Sequence, residues 1–486
     1  MSIASAAVED EPDAHVPEGL SDRPLREIIW SLAWPAVALN MLQVLNTLLD
    51  RFFIGHLSAA SLTAQISGMN VIFIVSSVAM GISTAATALV ARFYGAREHA
   101  DMQLAARQCL NFSLVSGLVA SVVTILLARP SAYAMLPPPQ HPVDRQAIEI
   151  MVGYVSVYGC GVIAVFISQT LAGAMRGVGD TRSPMVLSGI QIVLHMALNC
   201  LLVFPPSQSV VQFSFQGVHY RVGAGLGLMG AGIALSGSTW ISAVAYLAYA
   251  GKTKIGPVWR MRLPDSMWVK RIMNIANPAA ANQFFRVLSQ ATFNLILARL
   301  PDSAVAAQSI AGMGVCFSIE QIMIMPAGGI GAAAATLVGQ SLGGHRPDRA
   351  ERYGWICGIG GFVVTGLLSI FLYFSGPAIF HLIITQDPQA IPYGVWLLRG
   401  FCLVEAVYAF AMVLFAAMQG AGDTRRPTII SLVCLWGVRI PAGFLLALPF
   451  GFGAYGAFLA MVVSQGLQGI FAFFAFRGGA WKKMRV

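Results

Sequence analysis

The stretch Leu171–Pro184, LAGAMRGVGDTRSP, returns 243 residues later as Leu414–Pro427, LFAAMQGAGDTRRP. Nine of the fourteen positions are identical, and the offset is half of the 486-residue chain. Further pairs of segments match in the same order, among them Trp34–Ala36 with Asn277–Ala279. Matching segments at a fixed offset indicate an internal repeat. The sequence therefore predicts a duplicated unit whose first copy carries about 17 extra residues after Phe204, where the offset falls from 243 to 226.

The composition is that of a protein that spans a membrane. Hydrophobic residues make up 57% of the chain and charged residues only 10%, whereas about a quarter of the residues in soluble proteins are charged. Runs of about 20 apolar residues recur, each long enough to cross a hydrocarbon core about 30 Å thick. We predict an all-α polytopic membrane protein with twelve transmembrane helices, at about residues 28–54, 62–92, 104–128, 146–175, 184–204, 227–250, 270–299, 304–340, 352–375, 393–418, 427–449 and 454–476.

The twelve spans divide evenly between the two repeats. Six spans per half is an even number, so both halves begin on the same side of the membrane and the repeats run parallel. We expect an N-lobe at residues 25–250, a C-lobe at residues 270–476, and an inter-lobe linker at residues 251–269. Residues 1–24 are predicted to be a flexible tail, because they are rich in acidic residues and proline, and residues 477–486 a basic tail.

The basic residues predict the orientation of the chain. If the N-terminus is placed inside the cell, 22 of the 30 Lys and Arg residues lie in inner segments, as the positive-inside rule requires. We therefore predict a multi-pass protein of the plasma (inner) membrane with both termini cytoplasmic, and expect a monomer. The net charge of +9 then faces anionic lipid, and no nucleic-acid partner is expected.

The repeated stretch fits a turn between two helices. It falls at the inner ends of spans four and five, and again of spans ten and eleven. Glycine allows a helix to end in left-handed geometry, and Pro184 and Pro427 suit the first turn of the helix that follows. We predict that this motif has a structural role.

These motifs resemble the multidrug and toxic compound extrusion (MATE) family of efflux transporters. The matching pieces are the pattern from Trp34–Pro35 through Asp50, the segment Met325–Gln340, and the repeated Gly-x-Gly-Asp-Thr-Arg-x-Pro turn. The resemblance covers about residues 25–476 and implies two six-helix lobes that form a V around a central cavity. It also implies export of organic, often cationic, compounds coupled to entry of H⁺ or Na⁺. Pro35 matches a bending site of the family and is a candidate hinge.

Five ionisable residues lie in or near the middle of predicted spans. A charge in hydrocarbon costs roughly 2.5–3.5 kcal/mol on insertion scales, so each is a functional candidate: Asp50, Arg286, Glu320, Glu405 and Arg439. Asp50 shares one helical face with Gln43 and Thr47, and we expect Gln43 and Asn46 to line the substrate cavity. The structural alternative is that Asp50 pairs with its neighbour Arg51, although adjacent helical side chains diverge.

The fifth span supplies the expected partners of Asp50. The family pattern places an Asn and an Asp one turn apart here, and those positions hold His195 and Asn199 in this chain. This departure leaves one carboxylate and one amide, a thin set of oxygens for Na⁺, by analogy with other hard cations. Histidine takes up a proton near neutral pH, so we favour H⁺ over Na⁺ as the coupling ion and expect no other cofactor or metal. The alternative is a packed polar pair.

In the second half, Glu320 resembles an acid that many relatives carry before a Met-Pro pair. A span-seven acid common in the family is replaced by Arg286. We hypothesise that Arg286 pairs with Glu320, and that Glu405 pairs with Arg439, all four beside the substrate cavity. Paired acids stay ionised, which would leave Asp50 as the carboxylate that titrates. The alternative for both pairs is charge neutralisation without a functional role.

The sequence therefore predicts a secondary-active multidrug exporter and no enzyme. Gly251–Thr253 mimics the end of a P-loop, but Tyr246 stands where the first glycine is required. The alternative is a flippase for lipid-linked precursors on the same architecture. Such a protein would need a cavity rich in cations for a pyrophosphate group, whereas only Arg286 and Arg439 are expected in the middle of the membrane.

Overall fold

The structure is a computed structural model that describes residues 25–55, 57–136, 142–205, 212–215, 218–221, 223–258, 264–384 and 388–484. Among these residues, the first half contains six α-helices: α1 Leu25–Gly55, α2 Ala59–Gly95, α3 His99–Met135, α4 Pro142–Gly177, α5 Arg182–Leu202 and α6 Gly227–Ala250. The second half contains α7 Ser266–Ala298, α8 Ser303–Gly343, α9 Pro347–Ile383, α10 Ile391–Gly420, α11 Arg425–Leu432, α12 Ile440–Ala447 and α13 Gly453–Arg477. The predicted tail at residues 1–24 lies outside the described residues.

The twelve predicted spans are confirmed as helices. A π-helical segment, Val433–Arg439, joins α11 to α12, and together these form one span over Arg425–Ala447, called span eleven below. Within the described residues, eleven helices are long and apolar enough to cross a membrane. The remaining one is α7, which is 33 residues long. It falls short in hydropathy because Asn, Gln and basic side chains are spread along it, so its polar face needs contacts inside the protein.

One element departs from the all-helical expectation. Strands β1 (Gln212–Phe215) and β2 (Val218–Arg221) form an antiparallel hairpin between α5 and α6, in which Gln212 pairs with Arg221 and Phe215 with Val218. The hairpin lies in the extra segment that the first half was predicted to carry. Its polar and apolar residues alternate, which is the pattern of a strand, but the segment is too short and too polar to register as a span.

The repeated turn has the same geometry in both halves. Gly179 and Gly422 have φ values of +86° and +90°, the left-handed region that glycine enters without steric cost. The following residues, Asp180 and Asp423, return their backbone N–H groups to the carbonyls five residues earlier, at 3.0 and 2.9 Å. The predicted left-handed ending of the helix is therefore present twice.

The aspartate of each turn caps the next helix. Oδ1 of Asp180 accepts a hydrogen bond from the backbone N–H of Ser183 at 2.9 Å. In the second half, Oδ1 of Asp423 accepts one from the backbone N–H of Arg426 at 3.3 Å. These N–H groups have no partner within the helix, so a side-chain oxygen stabilises the helix start.

The two halves meet where α2 and α8 end. A Cβ atom on Gly95 would overlap the carbonyl oxygen of Gln340, and one on Gly343 would overlap that of Arg92. An offset of 248 relates Gly95 to Gly343 and Arg92 to Gln340, so the contact is reciprocal, as two-fold symmetry requires. The C-terminal ends of the two helices lie together. The repeats therefore run parallel, as predicted.

The first helix of each half also packs against the other half. The first turns of α1 join a core cluster of the second half, through Ile28, Leu32 and Ala33. The first turns of α7 join the core cluster of the first half, through Trp268, Ile272, Ile275 and Ala276. The first turns of α1 therefore pack in the core of the second half, and those of α7 pack in the core of the first half. The predicted lobes, in contrast, assign each of these helices entirely to its own half.

On the side of the molecule where α2 and α8 end, two polar connections are packed against the helices. The predicted linker at residues 251–269 carries Ile255 and Val258, whose side chains are buried in the first-half core. In the predicted basic tail at residues 477–486, Trp481 is fully buried and stacks on Phe476 with ring centroids 4.6 Å apart. The composition predicted polar connections at both places, and it did not predict that Ile255, Val258 and Trp481 are buried.

We expect Gly179→Ala to lower the stability of the fold. The nearest atom to a Cβ at this position lies 3.7 Å away, so the penalty comes from left-handed backbone alone and should be about 1–2 kcal/mol. The measurement is the midpoint of thermal unfolding in detergent. Gly360→Ala in α9, where nothing lies within 4 Å of the added atom, is the matched control and should not lower the midpoint. An unchanged midpoint for Gly179→Ala would contradict the role assigned to this glycine.

Candidate functional site

Asp50 lies in the last turns of α1, where its carboxylate is buried inside the first half. Its exposed fraction is only 6%. Nδ2 of Asn199 on α5 donates a hydrogen bond to Oδ1 of Asp50 at 2.6 Å. A hydrogen bond from an amide to a charged oxygen is among the stronger kinds in proteins, so α1 and α5 are held together at this point.

His195 is the second contact of this group. Its Nδ1 lies 3.0 Å from Oδ1 of Asn46 on α1, and its Nε2 lies 3.3 Å from Nδ2 of Asn199. Because Asn46 offers an oxygen and Asn199 an N–H, the network assigns the proton of a neutral imidazole to Nδ1. The predicted residues Asp50, His195 and Asn199 are thus brought together, and we call them, with Asn46, the Asp50 cluster.

The Asp50 cluster contains two groups that can take up a proton, the carboxylate of Asp50 and the imidazole of His195. Nε2 of His195 lies 3.8 Å from Oδ1 of Asp50. If Nε2 took up a proton, it could no longer accept from Asn199 and would face the carboxylate instead. A proton in this cluster can therefore reside on a carboxyl or on an imidazole, and each choice changes which hydrogen bonds are made.

Tyr154 on α4 is a neighbour that the sequence did not single out. Its side chain is buried and interacts electrostatically with Asp50. The hydroxyl group donates a weak hydrogen bond to the sulfur of Met69 at 3.9 Å. Nothing in the periodicity of α4 indicates which of its residues faces α1, because helix rotation is set by packing.

The cavity residues predicted on α1 take two different positions. Asn46 is half-buried and contacts His195, so it belongs to the Asp50 cluster. Gln43, two turns before Asp50, is exposed. The side chain of Arg51 lies outside the described residues, so its pairing with Asp50 stays untested.

Pro35 is buried inside a continuous α1. Its ring removes one helical hydrogen bond, to the carbonyl of Ser31. The helix runs through this position without a break. Its role as a hinge stays a prediction.

A second group of charges is buried in the other half of the molecule. Glu320 on α8, Glu405 on α10 and Arg439 on span eleven have exposed fractions of 6%, 0% and 7%. They lie close enough to interact electrostatically with one another. We call these three residues the Glu320 cluster.

The ion pairs predicted for this region are wrong. Among the described residues, neither Arg286 with Glu320 nor Glu405 with Arg439 approaches within the 4.0 Å of an ion pair. Oε1 of Glu320 instead accepts a hydrogen bond from Nε2 of Gln465 at 2.8 Å. The reason is that α13 supplies neutral polar partners, and which residues of α13 face α8 depends on a helix rotation that the sequence does not give.

Arg439 and Glu405 also differ from the prediction. Nε of Arg439 donates to Oγ of Ser464 on α13 at 2.8 Å. Both carboxyl oxygens of Glu405 are buried, and no donor among the described residues reaches either of them. An ionised carboxylate in that position would bear the full desolvation cost of a buried charge.

The two halves differ at the positions that correspond to the Asp50 cluster. Asp50 corresponds to Phe293 at an offset of 243, and Asn199 corresponds to Gly443 at 244, because the π-helical segment adds one residue to span eleven. A Cβ atom on Gly443 would lie 3.0 Å from the ring of Phe293. In the second half, α7 and span eleven therefore also approach each other closely at this point. The contact there is between Phe293 and Gly443, and no hydrogen bond corresponds to the one from Asn199 to Asp50.

The hydrogen bond from Asn199 to Asp50 predicts a measurable coupling energy. We expect Asn199→Ala to destabilise the protein, and a double-mutant cycle with Asp50→Ala to give a coupling of about 1.5–3 kcal/mol, as for hydrogen bonds to charged groups. The measurement is denaturant unfolding in detergent. Cys200→Ala, one residue further along α5, is the control and should show no coupling to Asp50→Ala. Additive effects of Asn199→Ala and Asp50→Ala would contradict the contact.

Comparison with known proteins identifies the family. The family model MatE matches residues 35–201 and 278–445. These two segments are offset by 243 residues at their starts and 244 at their ends, in agreement with the extra residue in span eleven. The chain is 26% identical to a probable multidrug resistance protein NorM of Thermotoga maritima, over 98% of this chain and 96% of that protein.

Solved structures share the fold. An outward-facing multidrug resistance MATE family transporter of the MOP superfamily superposes with a TM-score of 0.82 at 18% identity, covering 94% of this chain and 97% of that chain. A MOP superfamily transporter from Pyrococcus furiosus gives the same TM-score at 19% identity and the same coverage. Together, the duplicated helices, the parallel halves and the matched model place this chain in the MatE family, the multidrug and toxic compound extrusion family that its motifs indicate.

Proposed function

We propose that this protein exports organic compounds across the membrane in exchange for protons. The observation that carries the proposal is the Asp50 cluster, in which a buried carboxylate and a buried imidazole lie 3.8 Å apart. Similarity to proteins named for multidrug resistance supports the export of drug-like compounds. In a protein buried in lipid, a group that can gain and lose a proton is expected to have a functional role.

The orientation of Asn199 favours H⁺ over Na⁺ as the coupling ion. Its amide directs Nδ2, a donor, to the carboxylate of Asp50 at 2.6 Å. Na⁺ would need oxygen atoms at that place, as other hard cations do.

Protonation of Asp50 has a direct structural consequence. The neutral acid attracts Nδ2 of Asn199 less strongly than the carboxylate does. The bond between α1 and α5 then weakens, and the protein shifts towards a state in which that bond is not required. Proton uptake and a change in the packing of α1 are linked in this way, which is the requirement for exchange.

Contacts between the halves define the gate that must open. Oγ1 of Thr336 on α8 donates to the carbonyl of Arg176 at 2.9 Å, and Nε2 of Gln340 donates to that of Gly177 at 2.8 Å. These bonds connect α8 to the end of α4 beside the seam of α2 and α8. With the termini placed in the cytoplasm of a plasma-membrane protein, as the basic residues indicate, the cleft is closed on the inside and alternating access requires these bonds to break.

Transport assays on carboxyl variants test the proposed coupling. We expect Asp50→Asn to abolish drug–proton exchange in proteoliposomes, because it removes the titrating oxygen but keeps the shape of the side chain. Glu320→Gln should keep the coupling, because an amide oxygen at this position can still accept the hydrogen bond from Gln465. Glu149→Gln, whose side chain is 60% exposed at the surface, is the control for charge removal. Normal exchange by Asp50→Asn with loss of coupling in Glu320→Gln would overturn the assignment.

The nature of the substrate and of the ion is tested in the same vesicles. We expect efflux of ethidium or norfloxacin that stops when the pH gradient alone is collapsed. Efflux that depends on a Na⁺ gradient alone would overturn proton coupling. Movement of a lipid-linked precursor without any movement of these compounds would favour the flippase.

A further inference from the structure

We propose that Arg286 is an anion-binding residue of the transport site, so that compounds carrying a carboxylate are held against the second half of the molecule. This inference rests on the proposed function and specifies its substrate class. It departs from the expectation of simple organic cations. It assigns to Arg286 a role that the predicted ion pair with Glu320 would have excluded.

Arg286 lies in the middle of α7, on a face that points into the protein. Asn282, one turn earlier, donates to Oγ of Ser431 on span eleven at 3.3 Å. Ser289 and Phe293, one and two turns later, both have exposed fractions of 0%. Arg286 belongs to the same stripe, yet its side chain is exposed. The guanidinium group therefore opens into a space between helices rather than onto lipid.

Arg286 has no close counter-charge in the part of the chain that the structure describes. Among the described residues, Arg286 makes no hydrogen bond and no ion pair within 4.0 Å. Arg286 is electrostatically linked to Glu320, whose Oε1 accepts a hydrogen bond from Gln465. A lone cation at membrane depth needs an aqueous cleft or a counter-anion.

The surrounding charges strengthen the attraction for an anion. Arg439 supplies a second guanidinium group in electrostatic contact with Glu320 and Arg286. In the described part of the chain, no donor reaches either oxygen of Glu405, so we count it as an uncharged acid. The region then combines two guanidinium groups with one carboxylate, that of Glu320. Its net charge is positive.

Comparison of the two repeats shows that the positive charge of Arg286 has no equivalent at the corresponding position of the first half. Gln43 on α1 corresponds to Arg286 at the offset of 243 and is also exposed. Both side chains are therefore accessible, one with a neutral amide and the other with a guanidinium group. A planar guanidinium group binds a carboxylate through two parallel hydrogen bonds, which an amide cannot do with the same charge.

Paired substrates test this proposal. Norfloxacin carries a carboxylate and an amine, and its ethyl ester keeps the ring and the amine but lacks the carboxylate. In proteoliposomes with a pH gradient, we expect Arg286→Gln to lower the ratio of acid to ester transport about tenfold, the loss of one charged hydrogen-bonded contact. Arg286→Lys should recover part of the ratio because it keeps the charge. Arg299→Gln, an exposed position at the end of α7, should leave the ratio unchanged.

Direct binding separates this inference from the proposed function. We expect purified wild-type protein to bind norfloxacin more tightly than its ester, and Arg286→Gln to bind both equally. Equal binding by the wild type, or an unchanged preference in Arg286→Gln, would overturn the inference even if efflux occurs. Absence of efflux of every compound by the wild type would overturn the proposed function, while the binding preference would still decide the role of Arg286.

Discussion

The hydrogen bond between Asn199 and Asp50 is the interaction on which the proposed function depends. A bilayer offers no partner to a carboxylate, so a charge on α1 is tolerated only where another helix supplies a donor. Here α5 supplies it at 2.6 Å. The position of α1 is thereby tied to the protonation state of one side chain, which is the coupling that an exchanger needs.

The duplication preserved the architecture and changed the chemistry. At the seam, Gly95 and Gly343 make reciprocal contacts with Gln340 and Arg92, so both copies still allow the close approach of α2 and α8. At the corresponding interior sites, Asp50 has become Phe293, and a π-helical residue has been added to span eleven. The first half thus provides the acid, and the second half provides the unpaired cation.

The sequence predicted the features that depend on one helix or one turn at a time. The twelve spans, the parallel repeats and the left-handed turn at Gly179 follow from hydropathy, parity and glycine geometry. The nearness of Asp50, His195 and Asn199 followed from the family pattern. The partners of Glu320 and Arg439 could not be predicted, because they lie on α13 and depend on how several helices are rotated.

Infrared difference spectroscopy on substrate binding tests the central claim most directly, because it observes the carboxyl groups themselves. Binding of an exported compound should remove one carbonyl stretching band of a protonated carboxyl group, as Asp50 releases its proton. That change should be absent in Asp50→Asn and present in Glu320→Gln and Glu405→Gln. A band that persists in Asp50→Asn and disappears in either glutamate variant would place the coupling proton in the second half and contradict the account.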